Sequence, residues 1–124
     1  MPTPSRRAVI AGLMVSWIPL RAAAAPGLQL MVITSRDCHE SADFRREVMP
    51  GYGRTPAARV APMIEQPMDA AWPDGLAIGR MPRVTPSFLI LQGGVEIARF
   101  EGYSDAATFH ERLSSALSRS GAAY

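Results

Sequence analysis

The chain holds one cysteine, Cys38, in a run whose residue types suit sulfur chemistry: Ser35-Arg36-Asp37-Cys38-His39-Glu40-Ser41. An apolar stretch, Leu28 to Thr34, precedes it, and a helical pattern follows. That order places Cys38 at a helix start, among backbone N–H groups that lack intrahelical partners and at the positive end of the helix dipole. Both features favour thiolate over thiol and make the sulfur a better nucleophile. His39 acts in the same direction when protonated, and Asp37 in the opposite one, because a nearby carboxylate disfavours a second negative charge. The balance predicts a moderately lowered thiol pKa. The competing reading is a relic or a buried, inert thiol, since free cysteine is among the most buried residue types. Ser41 either hydrogen-bonds the Cys38 sulfur and helps to hold a thiolate, or is an ordinary first-turn serine.

The other residues that could do chemistry carry less. His39 reads as solvent-exposed, and His110 as a surface residue of the last helix. Cys38, His39 and a methionine could in principle hold Cu(I), because thiolate and thioether are soft ligands. Met31, Met49, Met63, Met68 and Met81 show no ligand spacing, however, and suit core filling better. No metal site and no cofactor is therefore expected. Glu96, Arg99 and Glu101 read as a solvated face.

The first 25 residues read as a targeting segment. Arg6 and Arg7 form a positive n-region, Ala8 to Leu20 is an apolar run too short to span a bilayer, and the Ala22–Ala25 run offers small-residue cleavage sites. Ser5-Arg6-Arg7 is compatible with a twin-arginine signal and equally with an ordinary secretory one. Cleavage after Ala25 would leave a domain over 26–124 with no membrane anchor, and a periplasmic location. Removing Arg6, Arg7 and Arg21 leaves 10 Arg against 11 acidic residues, so the pI near 9.2 belongs mostly to the signal. It gives no ground for nucleic-acid binding. All 13 basic residues are Arg. A single cysteine excludes an internal disulfide, so the domain must stand on its apolar core, and a leftover thiol in an oxidising compartment points to reactivity or intermolecular pairing. Nothing in the sequence indicates an oligomeric state.

The elements that would position Cys38 follow in order. Leu28 to Thr34 is apolar on both faces, as in a central strand covered on each side. Asp37 and Glu40 have capping-box spacing, predicting a helix from about Cys38 to Met49 that Pro50-Gly51 ends. A connection over Tyr52 to Ala57 leads to a modest strand signal over Ala58 to Gln66, with Pro62 pointing to an edge strand or bulge. Pro67 to Pro82 is broken by three prolines and two glycines. It reads as irregular, with one helical turn near Met68 to Trp72, and as a binding loop or a long connection. Ser87 to Leu91 is a strongly apolar strand, Gly93-Gly94 a two-residue hairpin turn, and Val95 to Gly102 the returning strand. Ser104-Asp105 caps a final helix, about Asp105 to Arg119, with Phe109, Leu113 and Leu117 on one stripe.

A strand, a helix that delivers the cysteine, a second strand, then a hairpin and a closing helix make an α/β order that resembles the thioredoxin-like fold. Cys38-His39-Glu40-Ser41 stands where that superfamily has C-x-x-C, and Val84-Thr85-Pro86-Ser87-Phe88 looks like its cis-proline loop. TPSFLIL at 85–91 and ARFEGY at 98–103 are similar to the small exported thioredoxin-like proteins of bacterial sulfur-oxidation clusters, the SoxS type. The resemblance implies a four-stranded mixed sheet with helices on both faces and a shortened or irregular second helix. It also implies that Thr85 and Pro86 present the partner's backbone to the thiol. With Cys38 and Ser41 as the candidate catalytic pair, the implied activity is thiol–disulfide exchange or thiol maintenance on a thiol- or disulfide-bearing partner protein. Ser41 marks a departure, because a hydroxyl cannot resolve a mixed disulfide as a second thiolate does. A monothiol mechanism with an outside resolving thiol follows. A non-catalytic binding or regulatory module on the same scaffold is the alternative, and a copper-handling protein a more distant one.

Overall fold

The computed structural model describes residues 27–122; the targeting segment expected over 1–25 lies outside them. Strand β1 (Leu28–Thr34) leads to helix α1 (His39–Glu47) and two short helices, α2 (Met49–Tyr52) and α3 (Pro56–Val60). Strand β2 (Met63–Pro67), a long irregular segment, the hairpin β3 (Ser87–Gln92) and β4 (Val95–Glu101), and helix α4 (Ala106–Arg119) complete the chain.

The four strands form one mixed sheet in the order β2-β1-β3-β4. β1 runs parallel to β2 and antiparallel to β3, and β4 is antiparallel to β3. β1 is central, and Leu30, Met31, Val32 and Ile33 are fully buried. That explains why its sequence does not alternate: both faces are covered. β2 is an edge strand, so Pro62 just before it removes no ladder donor, and its carbonyl accepts Leu30 N–H at 2.9 Å. Gly93 and Gly94 both take positive φ, +60° and +83°, as a two-residue turn requires. A Cβ on Gly94 would also lie 2.6 Å from the Gly75 carbonyl oxygen.

One face of the sheet carries all the described helices. Leu30, Val32, Phe88, Ile90 and Phe100 pack there against Phe44 of α1, Tyr52 of α2, Ala57 of α3 and Phe109, Leu113 and Leu117 of α4. Phe44 sits at the centre, edge-on to Phe88 (5.0 Å between centroids), Phe109 (5.0 Å) and Tyr103 (5.3 Å). Among the described residues the opposite face has no helix. Met31, Ile33, Leu89 and Leu91 are covered there by Ile64 and by Met68, Trp72, Leu76 and Ile78 of the irregular segment. The irregularity expected of the second helix is therefore complete, because the prolines and glycines of 67–82 prevent a helix and leave apolar side chains to do the covering singly.

Local boundaries differ from the sequence reading in three places. Cys38 itself is the N-cap of α1, with extended φ and ψ and no side-chain cap bond, so the Asp37/Glu40 capping box does not form. A turn closed by Cys38 N–H to Ser35 O (3.3 Å) leaves Asp37 exposed. Pro50 and Gly51 do not end the helical path; the break is at Val48, and Pro50 is tolerated in the first turn of α2. The strand expected from Ala58 begins only at Met63, because Thr55 caps a helical turn by accepting Ala58 N–H, with Pro56 in its first turn.

Candidate thiol site

Cys38 lies between two elements far apart in sequence. The Ser35–Asp37 turn at the end of β1 sets its backbone, and the loop entering β3 comes back to its side chain. The Thr85–Pro86 peptide in that loop is cis, and Cys38 Sγ lies 3.1 Å from the Thr85 carbonyl oxygen, to which the protonated thiol donates. Pro86 is buried and Thr85 half-buried, while Val84 before them is 47% exposed. Ser87 Oγ ties the loop down by donating to the Val84 carbonyl. The sulfur is partly accessible.

Ser41 is fully buried on the first turn of α1. Its Oγ accepts the backbone N–H of Ser35 at 3.2 Å, and its side chain hydrogen-bonds the Cys38 sulfur. A hydroxyl has one proton to donate and can also accept, so both bonds can be made together. Cys38, Ser41, Thr85 and Pro86 thus converge at one place.

Burial pushes the Cys38 thiol up. The Ser41 hydroxyl, the Thr85 side chain and the Ser41 backbone push it down, Glu40 pushes it up again, and the outcome is a pKa below the ordinary 9.0. The carboxylate that opposes the thiolate is Glu40, with Oε1 3.5 Å from Sγ, and not Asp37 as its sequence position suggested. Glu40 is free for this because it takes no part in a capping box. His39 is turned away, with Nε2 3.3 Å from Asp43 one turn along α1. The described residues contain no group of three His, Cys, Asp or Glu side chains able to hold a metal. None of their helices is long and apolar enough to cross a membrane.

The sequence reading missed a second polar cluster beneath α1. Thr34, fully buried at the end of β1, donates to Glu65 Oε2 of β2 at 2.7 Å. Arg45 of α1 reaches the same oxygen at 2.7 Å and Thr34 Oγ1 at 3.1 Å. The cluster ties α1, and with it the thiol, to two strands. Its members are 11 to 31 residues apart, a distance at which no periodicity could have paired them.

No family model and no curated protein matches the chain. Among solved structures, the reduced form of the periplasmic thioredoxin SoxS from Paracoccus pantotrophus superposes with a TM-score of 0.71 and 30% identity, over 75% of this chain and 98% of that one. Trxlp from Edwardsiella tarda aligns at 15% identity and a TM-score of 0.49, over 79% of this chain and 92% of that one. The sheet order, the cysteine at the mouth of the first helix and a SoxS likeness spanning nearly the whole of that protein together identify the chain as a member of the thioredoxin-like superfamily, akin to periplasmic SoxS.

Proposed function

We propose that this chain is an exported monothiol protein of thiol–disulfide exchange, with 1–25 a cleaved export signal and 26–124 the redox domain. The observation that carries the reading is the placement of Cys38. Cys38 is the N-cap residue of the first helix, and its sulfur is hydrogen-bonded by Ser41 and stands 3.1 Å from the Thr85 carbonyl oxygen. In the reaction, Cys38 thiolate attacks one sulfur of a partner disulfide. A Cys38–partner S–S bond forms, the partner's own S–S bond breaks, and the departing thiolate takes the electron pair and then a proton from water. Thr85 and Pro86 present the partner's backbone. With Ser41 where a second thiol would be, the mixed disulfide waits for an outside thiol, which attacks the Cys38 sulfur and releases the partner's cysteine as thiolate. A second such thiol then opens the resulting Cys38 disulfide, returning Cys38 as thiolate and leaving the two outside thiols joined as a disulfide. The likeness to a periplasmic thioredoxin supports a periplasmic location and redox chemistry on thiols. The resemblance of TPSFLIL and ARFEGY to the exported proteins of sulfur-oxidation clusters extends the proposal to maintaining the thiol of a partner protein in sulfur oxidation.

The test is capture from periplasmic extracts under mild oxidation. The full chain should yield a mixed disulfide that reductant releases, and Cys38→Ser should yield none. Equal capture by the variant would overturn the reading.

The Sγ to Thr85 carbonyl bond requires a protonated thiol, which favours a second reading as a non-catalytic binding module. Titration of the thiol separates the two. A pKa at or above about 8.5 with slow alkylation supports the binder.

A further inference from the structure

The charges around the sulfur are unevenly compensated. Arg36, two residues before Cys38, pairs with Asp69, and His39, next to it, with Asp43. Asp43 also takes Arg46. The guanidinium of the turn is thus already matched, and the His39 imidazole faces a carboxylate. Glu40 and Asp37 have no ion-pair partner among the described residues. Arg83, in the loop before Thr85, is exposed, and nothing places it against the sulfur. Among the described residues, the one charged group in contact with Sγ is the Glu40 carboxylate, at 3.5 Å.

We propose that Glu40 is a specificity-determining residue of this thiol site, selecting disulfide partners that carry positive charge beside the attacked sulfur and disfavouring anionic ones. The inference rests on the exchange reading above. In the exchange transition state negative charge spreads over the attacking, central and departing sulfurs. A carboxylate beside the attacking sulfur raises the energy of that state whatever the partner. A cationic partner brings its own charge to the carboxylate and offsets the repulsion, whereas an anionic partner adds to it. The site therefore suits a protein whose cysteine is flanked by Lys or Arg, and suits poorly a small anionic disulfide such as oxidised glutathione.

The experiment measures the rate at which Cys38 of the full chain opens three disulfides: cystamine (cationic), 2-hydroxyethyl disulfide (neutral) and oxidised glutathione (anionic). Each rate is divided by that of Glu40→Gln with the same disulfide, so differences in leaving group cancel. Glu111→Gln, which removes an exposed charge from α4, controls for net charge. At low salt the wild-type/Glu40→Gln ratio should fall from cystamine to glutathione by about tenfold, shrinking toward unity near about 0.5 M salt, as screening of an exposed pair requires. Glu111→Gln should show no such trend. A ratio that is the same for all three disulfides would overturn the role of Glu40 while leaving exchange at Cys38 intact. Failure of all three to react would remove the exchange reading and this inference with it.

Discussion

Ser41 Oγ accepts the backbone N–H of Ser35 at 3.2 Å, which commits an acceptor lone pair to the turn and leaves the hydroxyl proton for the Cys38 sulfur. The residue that cannot replace a second thiol in exchange thus does two other things: it closes the turn and it stabilises the thiolate. Ser41→Ala removes both bonds. The variant should lose about 1 kcal/mol of stability, the usual cost of a lost hydrogen bond that leaves a half-buried N–H unpaired. Its Cys38 should titrate higher and alkylate more slowly at neutral pH. Urea melts and iodoacetamide rates check the two effects separately.

Cys38 itself supplies a pH prediction. Its pKa lies below the ordinary 9.0, chiefly because Ser41 and Thr85 outweigh burial and Glu40. The alkylation rate of the folded chain should therefore reach half its plateau at lower pH than that of the urea-unfolded chain. The linkage has a sign: a thiol whose folded pKa is depressed adds stability that is fully present above the unfolded pKa and is lost as pH falls through the folded one. Wild type should gain stability relative to Cys38→Ala as pH rises toward 9 and not below the folded midpoint. Equal midpoints in folded and unfolded chains would contradict the geometry around the sulfur.

Glu65 titrates in the acid range. Burial raises its pKa, but the Thr34 hydroxyl and the Arg45 guanidinium lower it more, so it lies below the ordinary 4.5. A depressed carboxyl stabilises the fold above its unfolded pKa, and the contribution disappears as pH drops through the folded value. Glu65→Gln should cost about 1 kcal/mol at neutral pH, a modest figure because Arg45 is partly exposed and the pair is screened. The difference from wild type should vanish at an acid pH below the folded value, where both side chains are neutral. Denaturant midpoints at the two pH values measure this.

Phe44 joins the core to the site. It is fully buried, touches three aromatic rings and stands on the same helix as Ser41. Phe44→Ala should destabilise by about 3–5 kcal/mol through lost burial and the cavity left behind. Because α1 is still held by the Thr34–Glu65–Arg45 cluster, the folded fraction should retain a reactive Cys38. Thermal unfolding gives the first quantity, and thiol titration of the folded fraction gives the second.

The parts of this fold that were legible in sequence are those encoded locally. Leu28–Thr34 and Ser87–Leu91 are apolar runs of strand length, Gly93-Gly94 permits one kind of turn, and Phe109, Leu113 and Leu117 fall on one helical stripe. The candidate site was legible to a similar degree, since Cys38, Ser41, Thr85 and Pro86 can be picked out from two short motifs and the order of elements. What stayed hidden depends on contacts across the chain. Thr55-Pro56 opens a helix that takes in Ala58 to Val60, residues that read in sequence as the start of a strand. Glu40 has the spacing of a capping residue but turns to the sulfur once Cys38 occupies the cap. The cover of the second sheet face comes from isolated apolar residues with no period at all.

The stretch from Met68 to Val84 links the interior to the thiol. Met68, Trp72, Leu76 and Ile78 seal one side of the sheet, Ala77 bridges to Val95 on β4, and Arg80 pairs with Glu101. Gln66 grips its beginning by donating to the carbonyls of Pro67, Ala70 and Ala71. The same ribbon then hands Thr85 to Cys38. Insulation and aim are therefore one piece of chain: a change at Trp72 that loosens the seal also blurs where the Thr85 carbonyl meets the sulfur, and the ribbon cannot be shortened for one task without forfeiting the other.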